Sequence, residues 1–84
     1  MIRTTLTVEG MACSMCEAHI NDVVRRTCSV KKVSSSRKKG TTVILSETPP
    51  DTFQLREAIH AAGYTVTSAT VEPYAKRWRL LFRY

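Results

Sequence analysis

Between Ile2 and Glu72 the apolar residues switch between two spacings, and the order of the switches leaves few folds open. Ile2 to Glu9 alternates: Thr4, Leu6 and Val8 fall on one side, Arg3, Thr5, Thr7 and Glu9 on the other. That period of two, with many β-branched residues, is the mark of a half-buried strand. Gly10 ends it. From Ser14 to about Thr27 the apolar residues Ile20, Val23, Val24 and Cys28 follow helical spacing. Ser14 and Glu17 make an S-x-x-E capping box, with Ser14 as the expected N-cap. Val30 to Ser36 is a poor strand, rich in serine, of the kind an edge tolerates. Arg37-Lys38-Lys39-Gly40 reads as a turn. Thr41 to Leu45 is a better strand, expected to be buried on more than one side. A second helix follows Pro50, capped by Asp51 or Thr52, with Phe53, Leu55, Ala58, Ile59 and Ala62 as its inward face and Gly63 just past its end. Tyr64 to Glu72 is a last strand, closed by Pro73.

The order is β-α-β-β-α-β. It predicts an α+β, ferredoxin-like open-faced sandwich: a four-stranded antiparallel sheet with both helices on one face. Residues 1–72 form that domain, and residues 73–84 are a basic aromatic tail outside the pattern. With 84 residues there is room for one modest core, burying about 60–65% of the unfolded chain's surface. That weighs against most enzymes, and no catalytic turnover is expected. The net charge is +6, yet residues 1–72 hold 9 Lys/Arg against 7 Asp/Glu, so the tail supplies most of the excess. No apolar run approaches the ~20 residues of a membrane span, and no apolar leader opens the chain. A cytoplasmic protein is the expectation, and there thiols stay reduced.

The stretch GMACSMC, residues 10–16, carries the chemistry. Cys13 and Cys16 fall between the first strand and the first helix, one helical turn or slightly less apart. Unpaired backbone N–H groups and the helix dipole sit at that junction, and both favour thiolate over thiol. A disulfide, a redox couple and a metal grip all use such a pair. Two thiolates with few other donors suit a soft monovalent ion, Cu(I) above all, whereas a structural zinc site wants four ligands. His19, three residues after Cys16, is a candidate third ligand, and Met15 a weaker thioether candidate.

Gly10, Met11, Cys13 and Cys16 spell G-M-x-C-x-x-C, and Gly63-Tyr64 follows the second helix. On these residues the chain, over roughly 3–72, resembles the heavy-metal-associated domain family: small copper chaperones and the soluble N-terminal domains of copper-transporting P-type ATPases. The resemblance implies a Cu(I) site on Cys13 and Cys16, nearly linear and close to solvent. It implies a metallochaperone-like exchange of the ion with a copper-transporting ATPase or its metal-binding domain, as a monomer or a metal-bridged dimer. Met11 would pack inward to fix the loop, and Tyr64 would shield the site. Ala12 stands where zinc- and cadmium-handling relatives often put an acid, which favours Cu(I) over Zn(II). Three departures stand out: Ser29-Val30 for Gly-Val, Ser35 and Arg37 at positions usually apolar, and the extra tail.

Rival readings are a Zn(II) or Cd(II) domain of the same fold and a small thiol redox protein. Cys28 lies about 18 Å along the helix from Cys16 at 1.5 Å per residue, so core packing explains it. His60 has no assigned role. The cations Arg25, Arg26, Lys31, Lys32, Arg37, Lys38 and Lys39 read as a solvated face, far from the metal loop. The tail holds four of the six aromatic residues. It packs on or extends the sheet, meets a partner or an anionic membrane surface, or binds nucleic acid. Nucleic acid is not the expected partner.

Overall fold

The structure is a computed structural model and describes residues 1–12 and 14–73. Cys13 and most of the tail, residues 74–84, lie outside the described residues. The elements run β1 (Ile2–Glu9), α1 (Ser14–Thr27), β2 (Lys32–Ser36), β3 (Thr41–Ser46), α2 (Thr52–Ala61) and β4 (Thr65–Pro73). All pairings are antiparallel, in the order β2-β3-β1-β4. This is the ferredoxin-like sandwich. The serine-rich β2 is an edge strand, as its composition requires. β4 is the other edge, which is why it can end in Pro73: a residue with no N–H is tolerated there.

Among the described residues, one face of the sheet is covered and the other is not. Leu6, Val8, Ile44, Val33 and Val66 from the strands meet Ile20, Val23 and Val24 of α1 and Leu55 and Ile59 of α2 in one core. β3 shows the consequence. Its Thr42, Ile44 and Ser46 are buried, while Val43 and Leu45 are only half-buried. Its composition predicts burial on both sides, but among the described residues no second layer covers the open face. β2 begins two residues later than expected, and Val30 packs against the core from outside the strand. Phe53 is 69% exposed rather than inward. It precedes Leu55 by two residues, about 200° around a helix, so the two cannot share a face.

The caps also differ in detail. Asp51 caps α2, its carboxylate accepting from the N–H groups of Phe53 and Gln54 at 3.0 and 3.1 Å. Glu17 of α1 accepts the Arg37 N–H at 2.7 Å and pairs with the Arg37 guanidinium at 3.6 Å.

Two hydroxyl groups predict opposite effects. Ser35, at a position expected to be apolar, donates to Asn21 Oδ1 at 2.6 Å. Its single proton is then used, so Thr42 must donate to it across 2.9 Å. This chain ties β2 and β3 to α1. Ser35→Ala leaves the fully buried Thr42 hydroxyl without its acceptor and is expected to cost about 1–3 kcal/mol. Thr4 is equally buried, between Ile44 and Val71 in register, and its Oγ1 has no hydrogen-bond partner. Thr4→Val replaces a stranded hydroxyl with a methyl of the same shape and is expected to gain about 1 kcal/mol. Urea unfolding of both variants checks the pair, and a loss of stability in Thr4→Val would contradict the assignment.

Candidate metal centre

Three connections meet at one end of the sandwich. β1 leaves the sheet there at Glu9 and enters α1 through Gly10, Met11, Ala12 and Cys13. The β2–β3 turn arrives beside it, because Thr7 of β1 pairs with Thr41 of β3 and Val8 N–H donates to Gly40 at 2.8 Å. Arg37, Lys38 and Lys39 therefore lie at the loop end and not far from it, contrary to the expectation from sequence. Antiparallel pairing of β1 with β3 forces this placement.

The third connection is Gly63-Tyr64. The last turn of α2 closes with Gly63 N–H on His60 and Tyr64 N–H on Ile59, at 3.0 and 3.1 Å. These two bonds, with Gly63 at φ +102°, are a Schellman motif. The motif sets the direction in which the chain presents Tyr64. Its ring lies against Gly10, where a Cβ would sit 3.4 Å from Tyr64 Cδ1. Gly10 also has φ +104°, a conformation side chains strongly disfavour. The backbone conformation thus selects glycine at that point, while a Cβ there would meet the ring at ordinary contact distance.

Within the loop, Met11 is half-buried and packs against the core, while Ala12 is exposed. Met11 thus anchors the loop as its apolar side chain suggests. Cys16 stands half-buried in the first turn of α1, at the positive end of the helix dipole, which favours negative charge. Met15 beside it is 78% exposed. Cys13, the other sulfur of the pair, falls outside the described residues. Cys28 packs against the core at the opposite end of α1, with a free thiol. Burial pushes that thiol above its ordinary pKa. The Asp51 backbone N–H pulls it back, and the Asp51 carboxylate adds to the rise. It stays a protonated packing group at neutral pH.

Two pairs bracket the loop. On one side Glu17 holds the β2–β3 turn through Arg37. On the other, His19 Nδ1 lies 3.3 Å from the Tyr64 hydroxyl, with the rings edge to face and 5.7 Å apart. Neither pairing is legible in sequence, since 20 and 45 positions separate the partners. The nearest signal was the placement of Glu17 and His19 on the turns that follow Cys16.

The carboxylate next to Cys16 is already held by Arg37, and Ala12 offers nothing. Among the described residues no three His, Cys, Asp or Glu side chains gather at one point.

These features define a ferredoxin-like sandwich with its candidate site at the β1–α1 junction. The chain belongs to the heavy-metal-associated domain family, whose model matches residues 5–65. Among solved structures it is similar to the CopZ metallochaperone, with 23% identity, 76% of this chain and 97% of that one covered, and a TM-score of 0.68. It is similar to the N-terminal domain of ZntA in its Zn(II) form, with 24% identity, 88% and 96% covered, and a TM-score of 0.70. The N-terminal domain of PacS from Synechocystis PCC6803 gives 25% identity, 84% and 97% covered, and a TM-score of 0.64. At these identities the likeness speaks for the fold.

Proposed function

We propose that this chain is a metallochaperone-like carrier of Cu(I), holding the ion between Cys13 and Cys16. It exchanges the ion with a copper-transporting P-type ATPase or that enzyme's soluble metal-binding domain. The observation that carries the reading is the withdrawal of Glu17 onto Arg37. It removes the adjacent hard ligand and leaves sulfur as the dominant donor type, which suits a soft monovalent cargo. The likeness to a metallochaperone supports the same view.

Exchange requires no catalytic group. A thiolate of the partner bonds to the two-coordinate ion, and one bond to Cys13 or Cys16 then breaks. A second such swap completes the transfer. The protein's part is to keep both sulfurs deprotonated at the helix start, and to keep the loop in place with Met11 below and Tyr64 against Gly10. No helix among the described residues is long and apolar enough to cross a membrane. Action in the cytoplasm belongs to the same proposal.

A zinc-carrying role is the second reading, favoured by the likeness to a Zn(II)-form domain. Native mass spectrometry under reducing conditions, with Cu(I) and Zn(II) supplied in competition, separates them. One Cu(I) per chain, or one shared by a dimer, is the expected result. Retention of Zn(II) in the presence of equimolar Cu(I) would overturn the copper assignment.

A further inference from the structure

The pair His19–Tyr64 has no part in a two-sulfur Cu(I) site, yet it sits on the loop that carries it. Tyr64 contacts Gly10 on one side and His19 on the other. His19 is one helical turn after Cys16, and residues three apart on a helix are neighbours with Cβ atoms about 5–6 Å apart. Histidines that bind metals almost always engage the second ring nitrogen in a hydrogen bond, which fixes tautomer and ring orientation. The Tyr64 hydroxyl is placed to do that at Nδ1, 3.3 Å away. The exposed ring then offers Nε2 as the donor.

We infer that His19 is a third, conditional ligand of the same site: it joins Cys13 and Cys16 through Nε2 when the ion is divalent, and stays out when it is Cu(I). The inference rests on the cysteine-pair reading. The chemistry separates the two ions. Cu(I) is satisfied by two thiolates, whereas Zn(II) prefers four ligands and accepts imidazole readily. His19 and one water or partner group would complete that set. Tyr64 is a positioning residue here, acting on the metal through the imidazole.

The test uses the full chain labelled with 15N and follows the ring nitrogens of His19 by long-range 1H–15N NMR. On one equivalent of Zn(II), Nε2 should move to the metal-bound range while Nδ1 stays protonated. With Cu(I), neither should move in that way. His19→Ala should weaken Zn(II) binding about 100-fold and Tyr64→Phe about tenfold, the span over which a lost outer partner costs a metal site. Cu(I) affinity should be unchanged in His19→Ala. An Nε2 signal that stays put with Zn(II) on the cysteines would overturn the inference. So would equal losses of Zn(II) and Cu(I) in His19→Ala, which would mark a merely structural role. Failure of the underlying reading looks different: the Cys13→Ala/Cys16→Ala protein would then keep its Zn(II) and Cu(I) affinities.

Discussion

Cys16→Ala is expected to abolish tight Cu(I) binding and leave the fold standing. The two effects separate because of where the side chain lies. Cys16 is half-buried in the first turn of α1 and is not one of the buried core residues. Alanine is the best helix former, so the local backbone accepts the change. Under the two-thiolate reading, the ion loses half its ligands. Loss of an outer partner alone costs a metal site roughly 10–100-fold, so loss of a direct sulfur should exceed about 100-fold. Competition with a chromophoric Cu(I) chelator measures the affinity, and circular dichroism with urea unfolding reports the fold. Cys28→Ala is the control. It removes a partly buried core contact at the other end of the helix, so it should lower stability and leave Cu(I) affinity intact. Tight one-to-one Cu(I) binding by Cys16→Ala would remove the basis for the proposed function.

The elements were legible because each rests on a local period or a local punctuation residue. β1 alternates over eight residues, α1 repeats at helical spacing, and Gly10 and Gly63 stand where positive φ angles are found. What escaped was whatever depends on two segments meeting. The basic turn at 37–40 reads as distant when placed along α1. The antiparallel register of Thr7 with Thr41 brings it beside the loop. Arg37 looked like a flaw in an edge strand, yet it is the partner that occupies Glu17. Ser35 looked like another, yet it completes a chain from Asn21 to Thr42. Phe53 misled in the opposite way. By type an apolar residue reads as inward, although its angle from Leu55 places it outward. The Gly63-Tyr64 step reads as a motif, but its hold on the loop comes from a helix-ending motif that lays the ring against Gly10. Pair chemistry is invisible in one dimension, and most of what shapes this site is pair chemistry.

Ile20→Ala should cost the domain about 2–5 kcal/mol, the range for emptying a large aliphatic core position. Ile20 is fully buried, four residues after Cys16, and it is a point where α1 is pinned to the sheet. A small domain has only about 5–15 kcal/mol in total, so a measurable fraction should unfold under mild conditions. The same helix carries the first-turn sulfur, and this couples the core to the site. An ion that binds the folded state more tightly than the unfolded chain stabilises it, by about 2.7 kcal/mol at one hundred times its dissociation constant when the unfolded chain does not bind. Cu(I) added under reducing conditions should therefore raise the urea midpoint of Ile20→Ala toward that of the parent. The rescue should vanish in Ile20→Ala/Cys16→Ala, because the second change removes the ligand and not the packing. Rescue that persists in the double variant would mean that Cu(I) stabilises the fold from somewhere other than the β1–α1 junction. No rescue in Ile20→Ala at saturating Cu(I) would mean that the ion does not distinguish the folded loop from an unfolded CxxC. The helix start would then contribute nothing to the affinity.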